Sequence, residues 1–344
     1  MQTSKKVAIA VISFLCIIVL VSVLLIEPMV QGGLYYYCDG HYREQTAGTY
    51  ELLFMGDSDG LAAFSPAVYE QKTGIKSYNL SEEKNKFNSE YYMLEKEIER
   101  NPVKEVILQV GVETFVPGWY EDHAECDSVT LMRTPNLPER VGYLCQNVKF
   151  DKWLDVYSQM MMRGFLSLER NVLGDKSSNF DSSAKGWHKL ESVDYTLTKE
   201  KAKKTFNSKS LETEYEQEKT DGFLRVVSLC KEKNVSVCVV VIPMADWYIW
   251  EKDNIDEAMQ PFYKLCEDNN IPYFDFNLYK GKYEHFNDKS SFKDSIHLSA
   301  EGAEAFTGLF AKLYPDIISG KAKKDFCFES YNKLKEESPY YIYK

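Results

Sequence analysis

An apolar run, Leu52-Leu-Phe-Met55, stops at Gly56 and passes straight into Asp57-Ser58-Asp59-Gly60. That junction reads as strand, tight turn and helix. Glycine reaches backbone angles closed to other residues, so the turn can lift Ser58 to the carboxyl end of the strand, with its N–H at a helix start. Open α/β sheets gather their reactive groups at that end. Taken alone, the four residues read as a turn capped by Asp or Ser. A distant stretch shifts the balance: Asp294-Ser-Ile-His297 sets a carboxylate and an imidazole three residues apart, just before a helix that Ser299 can cap. A serine nucleophile needs such a base, and the base needs such an orienting acid.

The segments between these two stretches alternate in period. Short apolar runs at 52–55, 75–80, 103–110, 235–242 and 273–276 read as strands, and the stretches 61–73, 87–100, 211–234, 256–269 and 300–314 as helices, the last stopped by Pro315. Strand and helix in alternation imply an α/β fold, a three-layer, doubly wound, parallel five-stranded sheet of flavodoxin-like order, because right-handed crossovers leave few other topologies. Between about 118 and 210 the periodicity fails, and a Ser-, Lys- and Asp-rich stretch at 174–209 predicts a mobile insertion before the fourth strand. The charged, tyrosine-rich residues 321–344 read as a surface tail.

The two end motifs resemble those of the SGNH (GDSL-type) hydrolases and acyltransferases, which carry Gly-Asp-Ser after the first strand and Asp-x-x-His before the last helix. The resemblance implies Ser58 as nucleophile, His297 as general base and acid, and Asp294 as the residue orienting the imidazole. The phrase from Phe64 to Leu80, the insertion and the apolar N-terminus are closer still to the membrane-anchored bacterial SGNH proteins that accompany membrane-bound O-acyltransferases, as in alginate O-acetylation and lipoteichoic-acid D-alanylation. An SGNH-like domain over 47–320 is the expectation.

Residues Val7 to Ile26 form an apolar run of 20 preceded by Lys5 and Lys6, long enough to cross a bilayer as a transmembrane helix with its start in the cytoplasm. A cleaved signal peptide is the alternative, disfavoured by the length of the run and the lack of a clear small-residue cleavage site. The expected layout is an anchor at 1–26, a linker at 27–46 and an extracellular domain beyond. A formal charge of −11, with the basic residues interleaved among acids, argues against nucleic acid as a partner. The eight cysteines show no metal-type spacing; Cys230, Cys238 and Cys266 lie in apolar stretches as small core residues, while Cys38, Cys126 and Cys145 are able to pair outside the cell.

Asp59, Ser81, Glu113 and Trp247 are the further candidates for oxyanion or substrate contacts. The resemblance implies a glycine N–H after the second strand and an asparagine amide after the third, yet Ser81-Glu82 and Gly111-Val-Glu113 stand there. An ionised Glu113 beside a developing oxyanion would repel it. Trp119-Tyr120 and the group Trp247-Tyr248-Ile-Trp250 follow strand ends and suit either a sugar-binding rim or the edge of the core. The expected function is serine-dependent acyl transfer, of an O-acetyl or similar ester, to or from an envelope polysaccharide or teichoic-acid-like polymer, with a membrane-bound O-acyltransferase as partner and no cofactor. A non-catalytic scaffold of the same fold and a free carbohydrate esterase are the alternatives.

Overall fold

The structure, a computed structural model, describes residues 46–83, 86–117, 123–134, 136–172, 184–194, 210–287 and 289–338, with residues 5–7, 10, 13 and 14 near the N-terminus. The chain divides into two compact units, Met1–Gln45 with His123–Asn179, and Thr46–Asp122 with Phe180–Lys344. The expected anchor at 7–26 lies almost wholly outside the described residues. Among the described residues no helix is long and apolar enough to cross a membrane.

The larger unit begins with β1 (Leu52–Met55), α1 (Ser58–Ala63), α2 (Pro66–Thr73), β2 (Ser77–Asn79), α3 (Phe87–Arg100) and β3 (Glu105–Gln109). After β3 the chain enters the smaller unit, with α4 (His123–Arg133), α5 (Leu137–Asn147) and α6 (Trp153–Val172). It then returns through α7 (Gln217–Glu232), β4 (Ser236–Val241), α8 (Asp246–Glu251), α9 (Ile255–Asp268), β5 (Tyr273–Asp275), α10 (Lys282–His285) and α11 (Ala300–Ile318). The strands form one five-stranded sheet in the order β2-β1-β3-β4-β5, every pair parallel. The order reverses between β1 and β3, which opens a crevice at their carboxyl ends.

Both faces of the sheet are covered, so β1 is buried along its whole length and reads as unbroken apolar sequence. On one face Phe54 stacks on Phe64 and meets Tyr69 and Phe310 edge-on, joining β1 to α2 and α11. On the other, Phe115 packs with Phe87, Phe223 and Phe262, from α3, α7 and α9.

Four expectations are corrected. The helix foreseen at 61–73 is two helices, because Phe64 and Ser65 are extended and Pro66 opens a fresh one. The last long helix does not stop at Pro315 but runs through it to Ile318. Proline removes a single N–H there, at a cost that packing of Phe306, Phe310 and Leu313 in the core offsets. The insertion is not a structureless loop: α4 packs along α6, with Val129, Leu131, Met132, Val156 and Met160 buried. Its helices α4 and α5 are only 11 residues long, and polar side chains tie their ends, as where Arg140 Nε donates to the Leu131 and Thr134 carbonyls at 3.1 and 3.0 Å.

The fourth concerns the C-terminus. Residues 321–338 are seated in the larger unit as α12 (Lys321–Phe326) and α13 (Tyr331–Glu337), with Ala322, Tyr331 and Leu334 fully buried. Tyr331 donates its hydroxyl to Asp275 Oδ2 at 2.7 Å and its backbone N–H to Asp256 Oδ1 at 2.7 Å. The cysteines within the described residues are all free thiols, and Cys230, Cys238 and Cys266 are buried in the core.

Candidate active site

Ser58 is the first residue of α1, delivered by a turn that only glycine can make. Gly56 has φ +154°, and a Cβ there would fall 2.3 Å from Gln109 Oε1. The close approach has a purpose: Gln109 Oε1 accepts the Asp57 N–H at 3.0 Å, fastening the turn to the end of β3. Asp57 in turn caps α1, its Oδ1 accepting from Asp59 N at 2.9 Å. At the other end of α1, Asn79 at the close of β2 donates its side-chain amide to the carbonyls of Gly60 and Phe64, both at 3.0 Å, while its Oδ1 accepts Ser81 N at 3.1 Å. The nucleophile turn is thus stapled by a polar side chain from each neighbouring strand.

His297 arrives on a loop shaped by Asp294. Asp294 Oδ1 accepts the N–H groups of Ile296 and His297, at 3.0 and 2.8 Å, which turns the chain so that Oδ2 meets His297 Nδ1 at 2.8 Å. The far ring nitrogen, Nε2, lies 2.9 Å from Ser58 Oγ. Ser299 caps α11 through Gly302 N at 3.1 Å, and Ala245 N bonds the Ser295 carbonyl at 3.0 Å, tying the loop to the segment after β4. That segment is anchored by Asn277, whose Oδ1 accepts Met244 N at 2.8 Å, and by buried Lys282, which bonds Asp246 at 2.8 Å.

A further segment, residues 184–194, joins the two halves. Trp187 donates its indole N–H to the Ala62 carbonyl at 2.9 Å, and His188 N bonds Leu61 O at 3.1 Å. A few residues on, Ala300 N bonds Leu190 O at 2.8 Å and Val193 N bonds Phe292 O at 3.0 Å. Gly186, at φ +85°, lies so close to β2 that a Cβ would meet Asn79 O at 2.0 Å. This strap falls within the stretch expected to be a mobile insertion. Gln109, Asn79 and the strap are the positioning residues that the sequence reading missed; for the first two the available signal was an amide side chain closing an apolar strand.

The four further candidates distribute unevenly. Asp59 is drawn into the site, its Oδ1 lying 3.3 Å from His297 Nε2. Ser81 and Glu82 follow β2 as expected, but their N–H groups are already bonded, to Asn79 Oδ1 and to Gly56 O at 3.1 Å each, so neither offers its amide to an oxyanion. Glu113 follows β3, where Lys252 Nζ, buried and 3.6 Å from both Glu113 and Glu251, reduces the repulsion that an isolated carboxylate would exert. Trp247, in α8, is only 7% exposed and so is buried rather than standing at a rim. Trp119-Tyr120 lie outside the described residues. Among the described residues no group of three or more His, Cys, Asp or Glu is arranged to hold a metal ion.

Electrostatics in the cleft are dominated by acids. Burial works against a charge on His297, but its hydrogen bond to Asp294 and the charges of Asp59, Asp294 and Asp57 outweigh it and carry the imidazole up to about 9. Asp294 is pushed up by burial yet ends below the ordinary carboxylate range, because its bonds with His297 favour the anion. Burial, and then the neighbouring Asp57, raise Asp59 well above that range.

No family model matches the chain, and no curated protein matches it either. Among solved structures, the chain is similar to one from Bacteroides fragilis described as an acylhydrolase, at 10% identity and a TM-score of 0.38, covering 81% of this chain and 95% of that one. It is also similar to one from Bacteroides thetaiotaomicron described as a GDSL-like lipase, at 10% identity and a TM-score of 0.34, covering 78% and 88%. At these scores the likenesses are faint, and the chemistry of the cleft is read from its own atoms.

Proposed function

We propose that the chain is a serine-dependent acyl-transfer enzyme acting on esters, with Ser58, His297 and Asp294 as its reacting set. The observation that carries this reading is the continuous relay from Asp294 Oδ2 to His297 Nδ1 at 2.8 Å and from Nε2 to Ser58 Oγ at 2.9 Å. Ser58 Oγ attacks the acyl carbonyl, its proton passing to Nε2. The leaving alcohol takes that proton as the tetrahedral adduct collapses to an acyl-serine. A second hydroxyl, from a sugar or from water, then attacks with His297 again as base. Asp294 keeps the ring in the tautomer that leaves the Nε2 lone pair toward the serine.

The substrate class proposed is an ester-bearing envelope polysaccharide or teichoic-acid-like polymer. If residues 7–26 anchor the chain in the cell membrane, with the bulk facing outward, Ser58 is confined to the layer where a membrane-bound O-acyltransferase would deliver acyl groups. Tethering raises the effective concentration of such a partner, to the millimolar range for a short linker. A non-catalytic scaffold is the second reading, favoured by the Ser81 and Glu82 amides being already bonded, and a free carbohydrate esterase the third.

Fluorophosphonate labelling tests the chemistry: adduct on Ser58, lost in Ser58→Ala, is the expected result, and failure of native protein to label overturns the reading. The direction of transfer is tested in cells. Ser58→Ala at normal abundance is expected to abolish polymer acylation. Increased acylation after gene deletion would instead mark an esterase, and loss of acylation only when the whole protein is removed would mark a scaffold.

A further inference from the structure

We propose that Asp59 is a second carboxylate on the base, a positioning residue that holds the Nε2 proton of His297 in the resting site and so sets the pH at which Ser58 becomes nucleophilic. The inference deepens the proposed serine chemistry and rests on it. Its basis is geometric: Nε2 faces two partners, Ser58 Oγ at 2.9 Å and Asp59 Oδ1 at 3.3 Å. A ring nitrogen offers either one hydrogen or one lone pair, so it serves only one of them at a time.

When the ring is neutral, with Nδ1–H on Asp294, the Nε2 lone pair accepts the serine proton, and Asp59, whose charge burial and Asp57 already disfavour, loses its counter-charge. When the ring is protonated, Nε2–H donates to Asp59, and Ser58 has no base. Asp59 is 6% exposed and its Oδ1 has no hydrogen-bond partner, so burial leaves the imidazole as its available counter-charge. The resting site is therefore biased toward the ion pair, with the serine unactivated.

The surrounding charges reinforce that bias. Asp57 on α1 and Asp294 on the histidine's own loop both favour the imidazolium. Glu113, after β3, bears on Asp59 and shares Lys252 with Glu251, the ammonium also lying 4.7 Å from the centre of the Tyr248 ring. Activation moves one proton: Nε2–H breaks, the bonding pair stays on nitrogen as the lone pair that faces Ser58, and the proton leaves to solvent. Ser58 O–H can then be deprotonated as its oxygen bonds to the acyl carbon.

The test compares the full native chain with Asp59→Asn and Asp59→Ala, following the His297 ring by NMR titration and, in parallel, the pH dependence of fluorophosphonate labelling at Ser58. The native ring is expected to titrate near 9 and Asp59→Asn at least one unit lower, with labelling at pH 7 roughly tenfold faster, one unit corresponding to a tenfold change in the neutral fraction. In Ser58→Ala the ring is expected to stay high, since the Asp59 contact remains. An unchanged His297 titration in Asp59→Asn overturns the proposal. Should Asp59→Ala fail to fold, the near-isosteric Asn variant still decides it. Should Ser58 label in no variant at any pH, the serine chemistry fails while the titration still judges Asp59.

Discussion

The two halves of the site are built on different principles. The turn at 56–60 is buried and fastened to the sheet on both sides, by Gln109 from β3 and Asn79 from β2, with Gly56 and Gly60 packed tight against Gln109. The loop at 291–299 is turned by its own residues, Asp294 bonding Ile296 and His297, with that carboxylate side chain 40% exposed, and it reaches the rest of the fold through backbone bonds such as Ala245 N to Ser295 O and Val193 N to Phe292 O. The nucleophile is held by buried side chains from the sheet, and the base by a local turn that backbone bonds tether. Damage to the first should cost stability and activity together, and damage to the second activity alone.

Asp294→Asn gives the largest separation. Asparagine can still accept from Ile296 and His297 through Oδ1, but its NH₂ would face Nδ1 and force the proton onto Nε2, the tautomer that cannot take the serine proton. Ester hydrolysis is expected to fall about 10³–10⁴-fold, with a stability change under about 1 kcal/mol in denaturant titration. A comparable loss of stability would erase the contrast.

Gly56→Ala attacks the other half. A Cβ 2.3 Å from Gln109 Oε1, on a backbone at φ +154°, combines a clash with a strained conformation, at a cost of roughly 3–5 kcal/mol. Chemical denaturation should show this loss, or folded protein should not accumulate. Gln109→Leu is milder: it strands the buried Asp57 N–H and should cost about 1–3 kcal/mol, with labelling of Ser58 slowed in proportion to the disordered turn. Trp187→Phe tests the strap. It removes one hydrogen bond to Ala62 O while keeping an aromatic ring, for about 1 kcal/mol by thermal melting.

What the sequence made legible follows the same division. The central strands β1, β3 and β4 announced themselves because a parallel sheet covered on both faces carries nearly continuous apolar runs, and the reacting residues because Gly56 to Ser58 and Asp294 to His297 are compact local patterns. The fastenings were hidden, since Asn79 and Gln109 look like polar residues ending a strand, and only the fold places their amides on Asp57 and α1. Residues 184–194 were the hardest to foresee: their cohesion comes from backbone N–H and carbonyl groups, which every sequence has, from buried Trp187 and from the Lys185–Glu70 ion pair. Tyr331 was misread for a related reason, because a tyrosine in a charged segment gives no sign that Asp275 awaits its hydroxyl.

Ser58 and His297 are 239 residues apart in the chain, and that distance is also a delay. At synthesis rates of about 5–20 residues per second, roughly ten to fifty seconds separate the emergence of the serine from that of its base. Through that interval the serine has no partner to deprotonate it, so an unfinished chain is chemically silent. Nascent chains arrested before residue 297 are accordingly expected to resist fluorophosphonate, and reactivity should appear only once α11 has been made and the loop at 291–299 has closed on α1.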